Sequence, residues 1–309
     1  MKIYHSAFLK LDIDLDELSH ILEEAVGEKY ELKPLKVKCT YPVFRGKTAA
    51  EKFAAFIKIC PIEEWKRALT FTREMGTEDL FAQFLTESFI PYKSYAVIAM
   101  HWKGGYLVQL DEMNERQAKG LIYGCVHLTQ LLQRVKHFTP VVGSPRDPEI
   151  AWQVIETYAR HHPIASIPMR DLLSLPRDMR TYAGRKLVVV HGDFHAKNYG
   201  FMGPNLSSVF DMEKLTQDLA CGDFIQTLVY RYSELGLTKD ERQRLWDITQ
   251  YMFHRLPWPC EEVLTMIHIW RIRFAAHRIR KHPHAFWTGL DIARRDRRIS
   301  ELIDLYQDN

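Results

Sequence analysis

Nothing in this sequence constrains the fold as tightly as the stretch LVVVHGDFHAKNYGF, Leu187 to Phe201, taken with SSVFDMEK, Ser207 to Lys214. The first is a β-branched run that ends in a loop holding two His, an Asp, a Lys and an Asn; the second is another apolar run, ending on Asp211 and Glu213. Short apolar runs bounded by polar loops read as strands, and two of them this close in sequence read as a hairpin. Such a hairpin brings Asp193, Asn198 and Asp211 together. Two carboxylates beside a side-chain carbonyl are hard oxygen ligands, suited to a divalent cation and a phosphate.

The rest of the chain has room for a scaffold around that hairpin. Its 309 residues suit one large domain or two unequal lobes. A net charge of +3 is small for this size and gives no argument for a nucleic-acid or membrane partner. Five widely spaced cysteines without a CxxC pair argue against a disulfide framework or a cysteine zinc site, so a reducing cytosol is the expected compartment. No apolar run approaches the roughly 20 residues that span a bilayer.

The first hundred residues are strand-rich. Asp14 and Glu17 suit a capping box for a helix that closes at Gly27. Leu35 to Arg45 alternates polar and apolar residues, and Lys52 to Cys60 is a second strand-like run closed by Pro61. Lys58 lies inside it, either with its tip in solvent or as a cation held over a cleft. Ile62 to Met75 has helical spacing, and Gly76 followed by Thr77, Glu78 and Asp79 suggests a break and a restart. Phe84 to Ile90 and Tyr95 to Trp102 flank Pro91 to Ser94 as a hairpin, and Gly104 with Gly105 is the candidate hinge. Long helices follow: Asn114 to Arg134 with an Asn114 and Gln117 capping pair, one opened by Asp147, Pro148 and Glu149, one from Gly222 and Asp223 to Leu235, one capped by Thr238 and Glu241, then Cys260 to Lys281 and Asp291 to Tyr306.

HGDFHAKN and VFDME resemble the H-x-D-x-x-x-x-N catalytic loop and the I-D-x-E segment of the aminoglycoside phosphotransferase and choline kinase family, relatives of the protein kinases. The resemblance implies an α+β, bilobal protein-kinase-like fold, with a small β-rich N-terminal nucleotide-binding lobe over residues 1–101 and a larger helical C-terminal lobe over 102–309. It implies ATP or GTP with Mg2+ as cofactors, and transfer of the γ-phosphate to a hydroxyl of a small-molecule acceptor. By position, Asp193 is the expected catalytic aspartate, with His191 bracing its loop and His195 beside it; Asn198 and Asp211 are the expected metal ligands. Lys58 corresponds to the strand lysine on the phosphates, with Glu74 as its helix partner and Glu78 in reserve. Ala99, Met100 and His101 are then the segment that meets the base through backbone groups, and Gly222 and Asp223 the Gly-Asp that follows the metal aspartate. The loop over the phosphates departs from the family pattern: CTYPVFRGK offers a single glycine, Gly46, among bulky neighbours.

Two other chemistries fit parts of the pattern. A chain with a glycine-poor loop can serve as a pseudokinase-type scaffold, and His191, Asp193 and His195 alternate as ligands do in metal hydrolases. The basic stretch WRIRFAAHRIRKH reads as a solvated or internally paired helix surface, with an anionic substrate or partner as the other reading. Trp152, Trp246 and Trp270 sit in apolar helical patterns and are expected in the core, and Lys197 is expected in solvent. The acceptor itself and the oligomeric state have no signature in the sequence.

Overall fold

A computed structural model describes residues 3–6, 9, 11–35, 41–50, 53–75, 78–101, 105–137, 147–175, 185–283 and 287–307. The chain divides into two compact units. Met1–Gly105 groups with Arg134–Phe138 and Ser207–Glu213, and Tyr106–Gln133 groups with Thr139–Leu206 and Lys214–Asn309.

In the first unit β1 (Ile3–Ser6) and β2 (Leu11–Asp14) form an antiparallel pair that feeds α1 (Leu15–Val26). Asp14 caps α1 by accepting from the Asp16 and Glu17 N–H groups, and Gly27 ends it at φ 81°. Glu17 does not close a capping box. The Tyr92 hydroxyl stands between, accepting from Asp14 N–H at 2.9 Å and donating to Glu17 at 3.4 Å.

β3 (Glu31–Pro34), β4 (Val43–Lys47), β5 (Phe53–Cys60), β6 (Ile90–Tyr92) and β7 (Tyr95–His101) make an antiparallel sheet in the order β3-β4-β5-β7-β6. Alternation sorts its side chains between two faces. Ile57, Ile59, Val97 and Ala99 join Leu18 and Leu22 of α1 in one core, while Cys60 and Ile98 pack on Ala68 of α2 (Ile62–Met75) on the other side. Lys58 shares the parity of Cys60 and so belongs to the α2 face.

Three local expectations change here. The alternating run from Leu35 is no single strand: β3 ends at Pro34 and β4 begins at Val43, with residues 36–40 outside the described residues. No helix restarts at Glu78. Segment 81–85 instead runs beside β7, with Leu85 N–H on the Ala99 carbonyl and His101 N–H on the Gln83 carbonyl, both at 2.8 Å. The 90–101 hairpin is tighter than the sequence suggests, because Tyr92 faces Tyr95 and only Lys93, at φ 53°, and Ser94 make the turn. Gly104 lies outside the described residues, so the candidate hinge is represented by Gly105 alone, at φ 133°.

The second unit is mainly helical: α3 (Glu115–Leu132), α4 (Pro148–His161), the short α5 (Pro163–Ser166) and α6 (Arg170–Leu173), then α7 (Gly222–Tyr232), α8 (Lys239–Phe253), α9 (Cys260–Lys281) and α10 (Thr288–Gln307). The capping boxes at Asn114 and Thr238 and the Asp147 cap form as read from the sequence. No described helix is long and apolar enough to cross a membrane.

The central hairpin is where the sequence reading fails. β8 (Val188–Val190) pairs antiparallel with β11 (Thr216–Asp218), Val190 facing Thr216, rather than with the Ser207 run. β9 (Tyr199–Met202) takes β10 (Asn205–Val209) instead. The reason is local: Gly203, at φ 61°, lets the chain reverse between Met202 and Asn205, and so short a loop closes at the smallest entropic cost. Gly120 of α3 admits this hairpin, since a Cβ there would lie 1.9 Å from the Pro204 carbonyl oxygen.

Candidate active site

Lys58 is a buried cation, 5% exposed, in the middle of β5. An ammonium taken out of water needs compensating charge. It lies 3.1 Å from Asp211 Oδ1 and 3.6 Å from Glu64 Oε2, with its Nζ over the Tyr41 ring. Burial and the Glu64 carboxylate push the Tyr41 phenol up to about 12. Asp211 adopts φ 59°, a conformation that a residue with a Cβ occupies only when its surroundings hold it there. Phe210 before it stacks on Phe56, and Phe56, Phe71, Phe81, Ile98 and Met100 surround the pair, leaving about 30 Å³ of solvent space.

Glu74 is not the partner of Lys58. Its carboxylate accepts from the backbone N–H groups of Lys136 and His137 and meets His137 Nδ1 at 2.8 Å, and Glu78 pairs with Arg134. Helix geometry explains the substitution. α2 starts just past the end of β5, so its first turn, with Glu64, lies beside Lys58, whereas Glu74 stands ten residues, or about 15 Å, farther along the axis.

Asp193 is held very differently. It sits in the loop after β8, and α7 grips that loop from below. The fully buried Asp223 accepts from His191 N–H at 2.8 Å and Gly192 N–H at 2.9 Å. Gln226 accepts from Phe194 N–H, and the Thr227 hydroxyl donates to the Phe194 carbonyl. Burial pushes the Asp223 carboxyl up, against the opposing pull of His191 and of the two N–H donors. His191, itself buried, accepts from Asp193 N–H through Nδ1 at 3.1 Å. The Asp193 carboxylate is bonded by Lys214 on Oδ2, and His195 Nε2 stands 3.9 Å from Oδ1. His195 Nδ1 accepts from Lys197 N–H, which leaves Nε2 to carry the proton of the neutral ring.

Asn198, 6% exposed, donates Nδ2 to the Asp193 carbonyl at 2.8 Å. That bond fixes the amide orientation and reserves Oδ1 as an acceptor. The carboxylate of Asp211 and the amide oxygen of Asn198 are each a donor type that magnesium takes. The base-contacting expectation fits less well. The Ala99 carbonyl and His101 N–H are spent within the sheet, while Met100 lines the pocket beside Lys58. Gly46 is not a loop glycine: it lies in β4, where a Cβ would stand 3.0 Å from Tyr30 and 3.1 Å from Ala55. Leu35 to Pro42, between β3 and β4, contains no glycine at all.

Sequence reasoning missed Glu64, Lys214 and the clamping roles of Asp223, Gln226 and Thr227. The clamp had a signal. Those three polar residues recur at i, i+3 and i+4 in an otherwise apolar helix, which makes one polar stripe with something to hold.

Neither a protein-family model nor a curated sequence matches the chain. Solved structures do. It is similar to the amicoumacin kinase hAmiN in complex with AMP-PNP and Ca2+ (TM-score 0.59, 11% identity, 91% of this chain and 92% of that one). It is similar to the ADP-bound aminoglycoside phosphotransferase APH(2'')-Ib (TM-score 0.58, 13% identity, 94% and 99%) and to the macrolide 2'-phosphotransferase MphH from Brachybacterium faecium (TM-score 0.55, 10% identity, 91% and 97%). The chain has the α+β, protein-kinase-like fold of these phosphotransferases.

Proposed function

We propose that this chain is an ATP- or GTP-dependent phosphotransferase acting on a hydroxyl of a small molecule. The observation that carries the reading is the Asp193 loop. A carboxylate and an amide oxygen stand on a backbone that α7 fixes at four points, the preorganisation that phosphoryl transfer demands because it depends on placement and charge rather than covalent chemistry. Asp193 orients the acceptor hydroxyl and takes its proton. Lys58 neutralises the nucleotide phosphates, Glu64 keeps Lys58 extended, and His191 and Asn198 hold the loop in register. Asn198 and Asp211 would hold magnesium, which supplies charge neutralisation at the transferring phosphate. AMP-PNP with Ca2+ in the amicoumacin kinase and ADP in APH(2'')-Ib support the nucleotide and the divalent metal of this reading.

The test is a thermal-shift series with ATP or GTP and magnesium, followed by ADP or GDP release as acceptors are added. Stabilisation followed by release is the expected outcome. Asp193→Ala should keep nucleotide binding and lose about a hundredfold or more in turnover; wild-type turnover in that variant would refute the assignment. Asp211→Ala should abolish the magnesium dependence of nucleotide binding.

A second reading, a scaffold without turnover, draws on the glycine-free β3–β4 connection and on the phenylalanine-filled pocket at Lys58, which has room for a water or two. Nucleotide stabilisation without release under any acceptor would favour it. The hydrolase alternative has less support: among the described residues no group of three His, Cys, Asp or Glu side chains converges as a metal site.

A further inference from the structure

The surroundings of Asp193 carry a charge pattern that speaks to the acceptor. α9 brings Trp270, Arg273, His277 and the Arg280–Lys281 pair to one face at helical spacing. This face runs past the catalytic loop. His195 packs on Tyr230 with ring centroids 5.5 Å apart, Tyr230 on Trp270 at 6.1 Å, and the Arg273 guanidinium lies over Trp270 at 5.2 Å. One turn on, His277 is exposed yet close enough for the Asp193 carboxylate to act on it.

The carboxylates that other elements bring against this helix are paired. Asp218 pairs with Arg273, Asp296 with Arg271 at 2.8 Å, and Asp291 with Arg278 at 2.7 Å and Arg295 at 2.9 Å. Asp193 itself is met by Lys214. Among the described residues no carboxylate pairs with His277, Arg280 or Lys281, all exposed, and the half of α9 from Ile272 to Lys281 contains no acid. An acceptor carrying several ammonium groups would find, among the described residues of this stretch, cations and no acid. An acceptor carrying an anion would find His277 on the Asp193 side and Arg280 and Lys281 about one turn, ~5 Å, farther along the helix.

We propose that the acceptor at Asp193 is an anionic hydroxyl compound, a hydroxylated carboxylate or phosphate ester, whose charge is held by His277, Arg280 and Lys281 while His195 and Tyr230, backed by the buried Trp270, border its carbon skeleton. This rests on the reading of Asp193 as the acceptor-orienting group. The Asp193 proton transfer is unchanged: the hydroxyl oxygen bonds to the γ-phosphorus, the bond from that phosphorus to the β,γ-bridging oxygen breaks, and the hydroxyl proton passes to Asp193.

Three compounds with closely related carbon skeletons test the charge rule directly: gluconate, glucose and glucosamine, titrated calorimetrically into the full chain at low ionic strength. The expected order of affinity is gluconate, glucose, glucosamine, with at least tenfold between the ends. The Arg280→Gln/Lys281→Gln double variant changes two exposed side chains, so its melting temperature should match wild type while the order collapses. Equal affinities, no binding by any of the three, a reversed order, or an order unchanged in the variant would each overturn the proposal. AMP-PNP with magnesium is titrated into the same samples. Failure there would count against the phosphotransferase reading and leave the acceptor order to stand or fall separately.

Discussion

Asp193 and Asp211 each meet a lysine, but the two pairs are built in opposite senses. At Asp211 the cation is the buried member: the Lys58 side chain is 6% exposed and the carboxylate 28%. At Asp193 the carboxylate is the sheltered member, 13% exposed, and Lys214 reaches it from a position 33% exposed. The backbones differ as well. The Asp193 loop is tied to α7 by Asp223, Gln226 and Thr227, while Asp211 is held at φ 59° with Lys58 on its Oδ1. A fixed carboxylate suits a group that must present one oxygen to a hydroxyl, and a fixed cation suits a group that must wait for phosphate.

Asp223→Ala strikes the better-held loop and should have the largest effect. It leaves the His191 and Gly192 N–H groups buried without an acceptor, at about 1–3 kcal/mol each, so a loss of roughly 2–6 kcal/mol is expected. Denaturant unfolding measures the loss, and steady-state turnover should fall with it because Asp193 loses its footing. Unchanged stability would mean that α7 does not hold the loop.

Lys58→Met should spare the fold more and binding less. The apolar side chain, one atom shorter, suits β5 but leaves Glu64 and Asp211 without their cation. Nucleotide affinity by calorimetry should drop tenfold or more. The matching change at the other pair, Lys214→Met, removes a partly exposed ion pair and should cost under about 1 kcal/mol of stability. Equal stability losses in the two variants would erase the contrast between buried cation and sheltered carboxylate.

That contrast also explains what could be read from the chain beforehand. Helices with local signals were legible: Asn114 with Gln117, Asp147 before Pro148, and Thr238 with Glu241 each mark a cap within a few residues. The loop residues Asp193 and Asn198 stood out as candidates because their spacing is local too. What failed depends on distant pairing. β8 and β11 are about as suitable in sequence as β8 and β10, and only the Gly203 turn decides between them. Glu64 and Glu74 both lie on α2, and the direct junction of β5 with the helix selects Glu64. Lys214 gave no sign of its role, since a lysine after an acidic segment reads as solvated.

The smallest effect, and the finest probe of the Asp193 side, is on His277. The protein mass packed around this exposed ring and the cations of Lys281, Arg278 and Arg280 lower its pKa from 6.5, while Asp193 pulls it up. If the Asp193 carboxylate keeps its charge beside Lys214, then Asp193→Asn removes the upward pull and the His277 pKa should fall further, read from its ring proton shifts in an NMR titration. The sign carries into stability. A histidine with a depressed folded pKa contributes stability present above its unfolded value and lost as pH falls through the folded one, so in Asp193→Asn the loss should begin at the same pH, extend to lower pH and grow larger. An unmoved His277 would mean that Lys214 already cancels the carboxylate, and the acceptor would then meet a catalytic centre with no net negative charge.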